Sequence, residues 1–382
     1  MQHHNLTSEQ LQNIITNRAS NHFDVLVPYD ELVCEITNLE ETADQQQVSF
    51  KYPLGTAEFD SHSISQLFRR INLSHSFWKR LNDWGAHSLM VDCANFCIEA
   101  SANEITLKPR VNDPTFLFRL TISPETINQI ESLSTTENLD SEEEQENNFL
   151  TPVRGVLSSS YSKFDDNELF PLLMSILDDN ENMSYTLYEY DHQLTRLHIK
   201  FNDTEVEYEG KKYHAGMIVT NSEVGLSSIW IEPCTYRDDL SFTNRDVLKK
   251  QDVQMKLVHR GDIDREKVGE MFSFCSQIAQ VGITQLIESL NEEIEPKFAS
   301  SLVKNIVEFP SRIASILEEE WEQEEKLKKE TVTSALLEVA STLPLFQRAK
   351  VEQAVGKMLN LYCDYTSRIT QITEELNEIE AT

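Results

Sequence analysis

Two short stretches hold the residues whose types and spacing suit chemistry. In the first, Arg154 and Gly155 precede three serines, Ser158 to Ser160, then Tyr161, Lys163 and an Asp165-Asp166-Asn167 turn. In the second, Asn221-Ser222-Glu223 follows a β-branched run, and Gly225 breaks it before Ile229-Trp230-Ile231. An arginine that forks phosphate oxygens, hydroxyls that donate and a ring that stacks on a base suit a sugar–phosphate backbone. The nucleic-acid-binding set expected from the sequence is therefore Arg154, Ser158, Tyr161, Lys163, Arg237, Arg245, Lys249 and Arg260, with Lys250 beside them. The same residues have a plainer reading. Arg154 would pair with Asp165 or Glu223, and the serines would cap the helix that begins at Asp165.

Catalysis finds less support. Asn221-Ser222-Glu223, with Glu232 or Asp238, is the one acid cluster that suits hydrolysis, which needs two carboxylates or a histidine converging on one pocket. His192, His198, His214 and His259 are at hand, but none sits in a ligand spacing. Asn-Ser-Glu at a strand end reads more readily as a turn with satisfied side chains. No Gly-rich phosphate loop, GxSxG elbow or dinucleotide fingerprint is present. The six cysteines are scattered; Cys93 and Cys97 are near each other but lack a second Cys/His pair. They read as reduced, buried thiols. No catalytic residue, metal ligand or cofactor is assigned, and the chain is read as a binding protein and not an enzyme.

The elements that must position these residues can be traced along the chain. A capping-box-like Thr7-Ser8-Glu9-Gln10 opens a helix. Asp24–Pro28 and Val48–Tyr52 read as strands. Apolar residues at 64, 67, 68 and 71 predict a helix over 63–71, and Ser74 caps a second over 75–84. This basic pair, with Arg69, Arg70, Lys79 and Arg80, matches a DNA-reading helix-turn-helix or an ordinary helical hairpin that buries Phe68, Phe77 and Trp78. The hairpin is preferred. Residues 91–100 read as helix or strand, and Glu104–Leu107 and Phe116–Ile122 as strands. Beyond Phe149 come a strand (151–157), a helix (167–177) and strands at 185–190, 195–201, 217–222 and 228–233. From Val268 the chain reads as helical, broken at Pro296 and Pro310, with the run 316–343 as a charged helix passing into an amphipathic one. Residues 347–380 close as one or two further helices.

The fold class expected is α+β, in four parts. These are a mixed region over 1–134 with the hairpin near 63–84, an acidic linker over 135–148, a β-rich central domain over 149–264 and a helical region over 265–382. The net charge is −31 over 382 residues. Such a surface repels nucleic acid at long range, so any binding needs cations gathered on one face, within the ~10 Å reach that salt leaves to exposed charge. Lys/Arg and Asp/Glu balance between Leu194 and Arg260, so the central stretch is locally neutral. With no apolar signal core and no run of about 20 apolar residues, the expectation is a cytoplasmic protein that meets no membrane.

VRGVLSSSYSKFDDNEL, the later GMIVTNSEVGLSSIWIEPCTYRDDLSFTN and HRGDI together resemble the phage/plasmid-like family known as domain of unknown function 932. The resemblance covers roughly residues 60 to 270. It departs at Phe242-Thr243-Asn244-Arg245, where the family carries a Cys-Thr-Asn-Gly run. It implies a mobile-element origin and no set activity. The function expected is a non-enzymatic protein that binds single-stranded nucleic acid in replication, annealing or recombination, self-associating through its C-terminal helices. The alternatives are an oligomeric protein that engages host or defence proteins through acidic and helical surfaces, and, third, a metal-dependent nuclease.

Overall fold

The computed structural model describes residues 2–38, 46–107, 115–123, 125–126, 150–177, 182–237, 240–243, 256–261, 263–306 and 309–361. The fold is α+β. It divides into two units, one formed by Ile14–Lys163 and the other by Met1–Asn13 with Phe164–Thr382. The acidic stretch 135–148 lies outside the described residues, as do Asp238, Arg245, Lys249 and Lys250.

In the unit of residues 14–163, six strands form one sheet: β2 (His22–Pro28), β3 (Val33–Asn38), β4 (Gln46–Tyr52), β5 (Gly55–Phe59), β6 (Thr115–Thr121) and β7 (Leu150–Ser158). Their order is β2-β6-β7-β5-β4-β3. Every pairing is antiparallel except β5 with β7. Side-chain alternation puts Phe116, Phe118 and Leu120 on one face of β6, where they join Leu67, Phe68, Ala94 and Ile98 in a core. Those four come from helices α2 (Ser61–Arg70) and α4 (His87–Leu107). The α2 start is a reciprocal capping box in which Asp60 accepts from the Ser63 amide and the Ser63 hydroxyl accepts from the Asp60 amide. Between them α3 (His75–Asp83) is capped by Ser74. β3 is an edge, and Asn95 of α4 caps its open groups. The Asn95 side chain accepts from the Cys34 amide at 2.8 Å and donates to the Cys34 carbonyl at 2.9 Å.

The expected strand at Glu104–Leu107 is instead the end of α4. Once a helix has nucleated, adding residues costs little, and that outweighs the β preference of Ile105 and Thr106. The expected burial of Phe77 is also corrected. Phe68 is buried and packs on Trp78 at 4.9 Å, but Phe77 faces out. The strand Leu150–Ser158, expected to open a central domain, pairs within this sheet, and the division of the chain falls after Lys163.

The other unit begins with β1 (Gln2–His4) and the first part of α1 (Ser8–Ala19), within which the division of the chain falls, after Asn13. The start of α1 is a second capping box: Thr7 accepts from the Gln10 amide and Gln10 from the Thr7 amide. Its sheet contains β8 (Met183–Tyr190), β9 (Thr195–Phe201), β10 (Val206–Tyr208), β11 (Lys211–Asn221), β12 (Ile229–Arg237), β13 (Leu240–Phe242) and β14 (Lys256–Leu257). The path is β1-β8-β9-β11-β12-β13, with β10 on β11 and β14 on β12, all antiparallel. Helix α5 (Asp166–Leu177) sets Phe170 edge-on to Tyr188 of β8. Helix α6 (Arg265–Leu290) packs along β11 and β12. The rest is α7 (Pro296–Lys304), α8 (Ser311–Trp321), a short β15–β16 pair (Glu293–Ile294 with Leu327–Lys328), α9 (Lys329–Thr342) and α10 (Leu345–Met358).

Pro296 and Pro310 mark the starts of α7 and α8, as expected of residues that cannot continue a helix. The charged helix expected to run on through 316–343 is broken. Trp321 and Leu327 are both buried, and Leu327 pairs with Ile294 in β16, which takes the chain out of helix before α9 starts. Of the one or two helices expected over 347–380, α10 covers the first part and ends at Met358 in a turn, and residues beyond 361 lie outside those described.

Candidate functional site

The expected binding residues fall in both units. In the 14–163 unit, Arg119 of β6 opposes Gly155 while Leu120 opposes Val153, so Arg154 is the extra residue of a β-bulge. It is buried. Ser158 ends β7, and its hydroxyl lies 3.0 Å from that of Ser160. The Lys163 ammonium sits 2.7 Å from Asp24, which also takes two bonds from Arg119, at 2.9 and 3.2 Å. The Arg119 guanidinium stands 5.9 Å from the centre of the Tyr161 ring. Burial pushes the Asp24 carboxyl up, but the charges and hydrogen bonds of Arg119 and Lys163 outweigh it and hold that carboxyl below its ordinary value.

In the other unit, Arg237 donates to Ser334 of α9 at 2.8 Å and has Glu330 4.0 Å away, while Arg260 is exposed. Asn221, Ser222 and Glu223 form a turn and a clamp. Asn221 donates to Asp166 at 2.8 Å and to the Phe164 carbonyl at 3.2 Å. Thr195 donates to the other Asp166 oxygen at 2.7 Å, and Glu223 accepts the Asp166 amide at 3.1 Å. Glu223, and not the serine run, therefore takes the first amide of α5. His259 Nε2 lies 3.1 Å from the side-chain oxygen Oδ1 of Asn221, an acceptor, so that nitrogen carries the proton. Ser222 donates to the Gln193 carbonyl and accepts the Leu226 amide, while Gly225 adopts φ 73. The motif reads as the joint that fixes α5 and the 222–227 turn to the sheet.

Strand alternation separates this clamp from a second polar layer. Asn221 pairs with Thr195, and one residue back Thr220 pairs with Arg196 on the opposite face. There Arg196 meets Glu352 of α10 at 2.6 Å and Glu189 at 3.6 Å. Glu189 also accepts from Gln2 at 3.0 Å, lies 3.0 Å from His198 and pairs with Arg348. Burial lowers the Arg348 pKa and the Glu352 charge opposes that fall. Sequence reading missed this layer because its partners lie on strands and helices far apart in the chain. Among the described residues no group of three or more His, Cys, Asp or Glu is placed to hold a metal ion.

Sequence reading singles out the cations Lys79 and Arg80 but misses the exposed aromatics of α3, α4 and the turn between them. Trp84 is 73% exposed, Phe96 71% and Phe77 41%. Lys79 and Arg80 are exposed on α3 and form no ion pair among the described residues, and Arg80 lies one helical turn before Trp84. The available signal was Phe77 and Trp84 seven residues apart, two turns along one face.

No family model, curated protein or solved structure matches this chain. No described helix is long and apolar enough to cross a membrane.

Proposed function

We propose that the chain is a non-enzymatic, cytoplasmic protein of a mobile element that binds single-stranded nucleic acid in replication, annealing or recombination. The α3–α4 hairpin is its contact surface. The observation that carries the reading is Trp84, nearly free of protein cover, on the turn after Arg80 whose carbonyl accepts the Trp84 amide at 3.1 Å. An exposed ring one helical turn from the cation Arg80, with Lys79 next to it in the chain, supplies what sequence-independent single-strand binding needs, a stacking platform and a phosphate contact. An aromatic ring left in water otherwise gains nothing for the fold. The expected set contributes less, because Arg154 is buried and Lys163 and Arg237 already meet carboxylates. The resemblance to the phage/plasmid-like family supports the mobile-element part of the proposal, which extends to self-association through the C-terminal helices.

Fluorescence anisotropy against labelled oligothymidylate and duplex DNA at several salt concentrations tests it. Single strands should be preferred, and Trp84→Ala should weaken binding about tenfold, as the loss of ~1–3 kcal/mol of stacking implies. Lys79→Ala with Arg80→Ala should flatten the salt slope by about 1.4, at ~0.7 per lost phosphate contact. Absence of binding at low salt, or unchanged binding by Trp84→Ala, overturns the proposal. A protein partner for the same face is the second reading, favoured by the half-exposed Leu89 on α4, and a variant-sensitive oligomer without DNA binding would support it.

A further inference from the structure

Four of the ten large apolar side chains that stand exposed among the described residues fall within residues 77–96: Phe77, Trp84, Leu89 and Phe96. They repeat one pattern. Phe77 and Trp84 are seven residues apart on α3 and the helical residue that ends it, with Arg80 three after the first and four before the second. Leu89 and Phe96 are seven apart on α4, with Asp92 three after the first and four before the second. At about 100° per residue each pair makes an apolar stripe two turns long, bordered on the same side by its charged residue. The two stripes match in spacing and oppose in charge. Beyond the other border of the α4 stripe lies the core, where Met90 and Ala94 are buried.

We propose that this face pairs with a second copy of the chain, α3 of one protomer lying antiparallel on α4 of its partner and α4 on the partner's α3. In an antiparallel helix pair, residues that border the seam on the same side of each helix meet across it. Arg80 then faces the partner's Asp92, while Phe77 falls beside the partner's Phe96 and Trp84 beside the partner's Leu89. Parallel packing would instead turn Arg80 toward the Met90 side of α4. The like pairings fail on charge. Helix α4 on α4 sets Asp92 against the partner's Asp92, and α3 on α3 sets Arg80 against the partner's Arg80, and like charges brought together cost affinity. A two-fold axis makes the exchange reciprocal, so the two stripes of each copy close a dimer. A nucleic-acid strand engages only the cation and ring of α3 and would set phosphates against Asp92 and Glu99, both exposed on α4. A second copy engages both helices. This interface is separate from the C-terminal helices and does not depend on nucleic-acid binding.

Analytical ultracentrifugation of the full chain, without nucleic acid and across a wide range of concentration, tests this. A reversible monomer–dimer equilibrium is expected. Phe96→Ser should raise the dissociation constant by about tenfold or more, as loss of an aromatic anchor does, with circular dichroism unchanged. Arg80→Glu or Asp92→Arg alone should also weaken the dimer, and the two together, which exchange the signs, should recover association to near the parent value. A chain that is monomeric at every concentration overturns the proposal. So does a dimer that Phe96→Ser leaves intact, which would place the contact elsewhere, or a charge exchange that fails to restore what the single reversals remove. Oligothymidylate bound by a chain that never dimerises would make a nucleic-acid strand the occupant of the face. Trp84 lies in both surfaces, so Phe96→Ser is the variant that separates them: it should weaken the dimer while strand affinity stays no lower than the parent's.

Discussion

Arg196 of β9 and Glu352 of α10 are 156 residues apart in the chain and meet at 2.6 Å with both side chains almost fully buried. Their value lies in each cancelling the cost of burying the other. Glu352→Ala should destabilise the protein by about 3–5 kcal/mol, the range for orphaning one member of a buried pair. Arg196→Met with Glu352→Leu should cost less than either single change. Urea denaturation of the three variants checks this, and equal or additive losses would show the pair to be uncoupled.

Gly356 of α10 is set by a close approach. A Cβ there would lie 2.3 Å from the Thr243 carbonyl oxygen and 2.9 Å from the Thr243 nitrogen, both backbone atoms that cannot swing aside. Gly356→Ala should cost about 1–3 kcal/mol through overpacking. Gly269, inside α6 with open space around its Cβ position, makes the opposite case. Gly269→Ala should stabilise by roughly 0.5–1 kcal/mol, the helix preference for alanine. Thermal melts of the two variants should move in opposite directions.

Acid should reach the 14–163 unit through Asp24. Its carboxyl titrates below the ordinary 3.8 in the folded chain, so its contribution to stability is fully present above that value. It is lost as pH falls from there through the folded pKa, where Asp24 protonates and leaves Arg119 buried without its counter-charge. Stability of the parent should therefore fall more steeply below about pH 4 than that of Asp24→Asn, which starts lower and lacks this dependence. Denaturation midpoints measured from neutral pH downward would show parallel curves if Asp24 plays no part.

The cysteines should divide by burial. The Cys34 thiol is pushed up to about 12, by burial first and then by Glu35. Burial drives Cys234 and Cys275 well above the ordinary thiol value. Thiolate is the reactive form, so these three should resist alkylation in the native protein and react only on unfolding. Cys93 and Cys97, both partly exposed on α4, should be modified before those three. Mass spectrometry of a labelling time course decides, and early modification of Cys275 would contradict the packing described.

What could be read from sequence was local. The Thr7–Gln10 box, the Ser74 cap, the alternation of 48–52 and the Asn221-Ser222-Glu223 turn all depend on neighbours a few residues away, and each appears where expected. Misreadings arose where distant contacts overrode local preference. Phe77 carries the same apolar side chain as Phe68, and only packing decides which of them faces water. Arg154 was singled out for its type, but its placement comes from a bulge against β6 that no nearby residue encodes. The buried layer of Arg196, Glu189 and Glu352 was invisible for the same reason, since its members meet only through strand register and the docking of α10.

The position of β7 bears on how the chain is made. It lies between β6 and β5 in the sheet, and its parallel register with β5 joins Thr56 to Leu150. On a ribosome, β2 to β6 emerge first and can form only two separate pieces, β2-β6 and β5-β4-β3. Each has an open inner edge until the later strand arrives. The nascent chain thus carries unpaired strand edges for the time needed to synthesise the intervening residues, and completes its first sheet in a single late step. Stalled fragments ending before Leu150 should be protease-sensitive and prone to aggregate, while those that have released Ser158 should be neither.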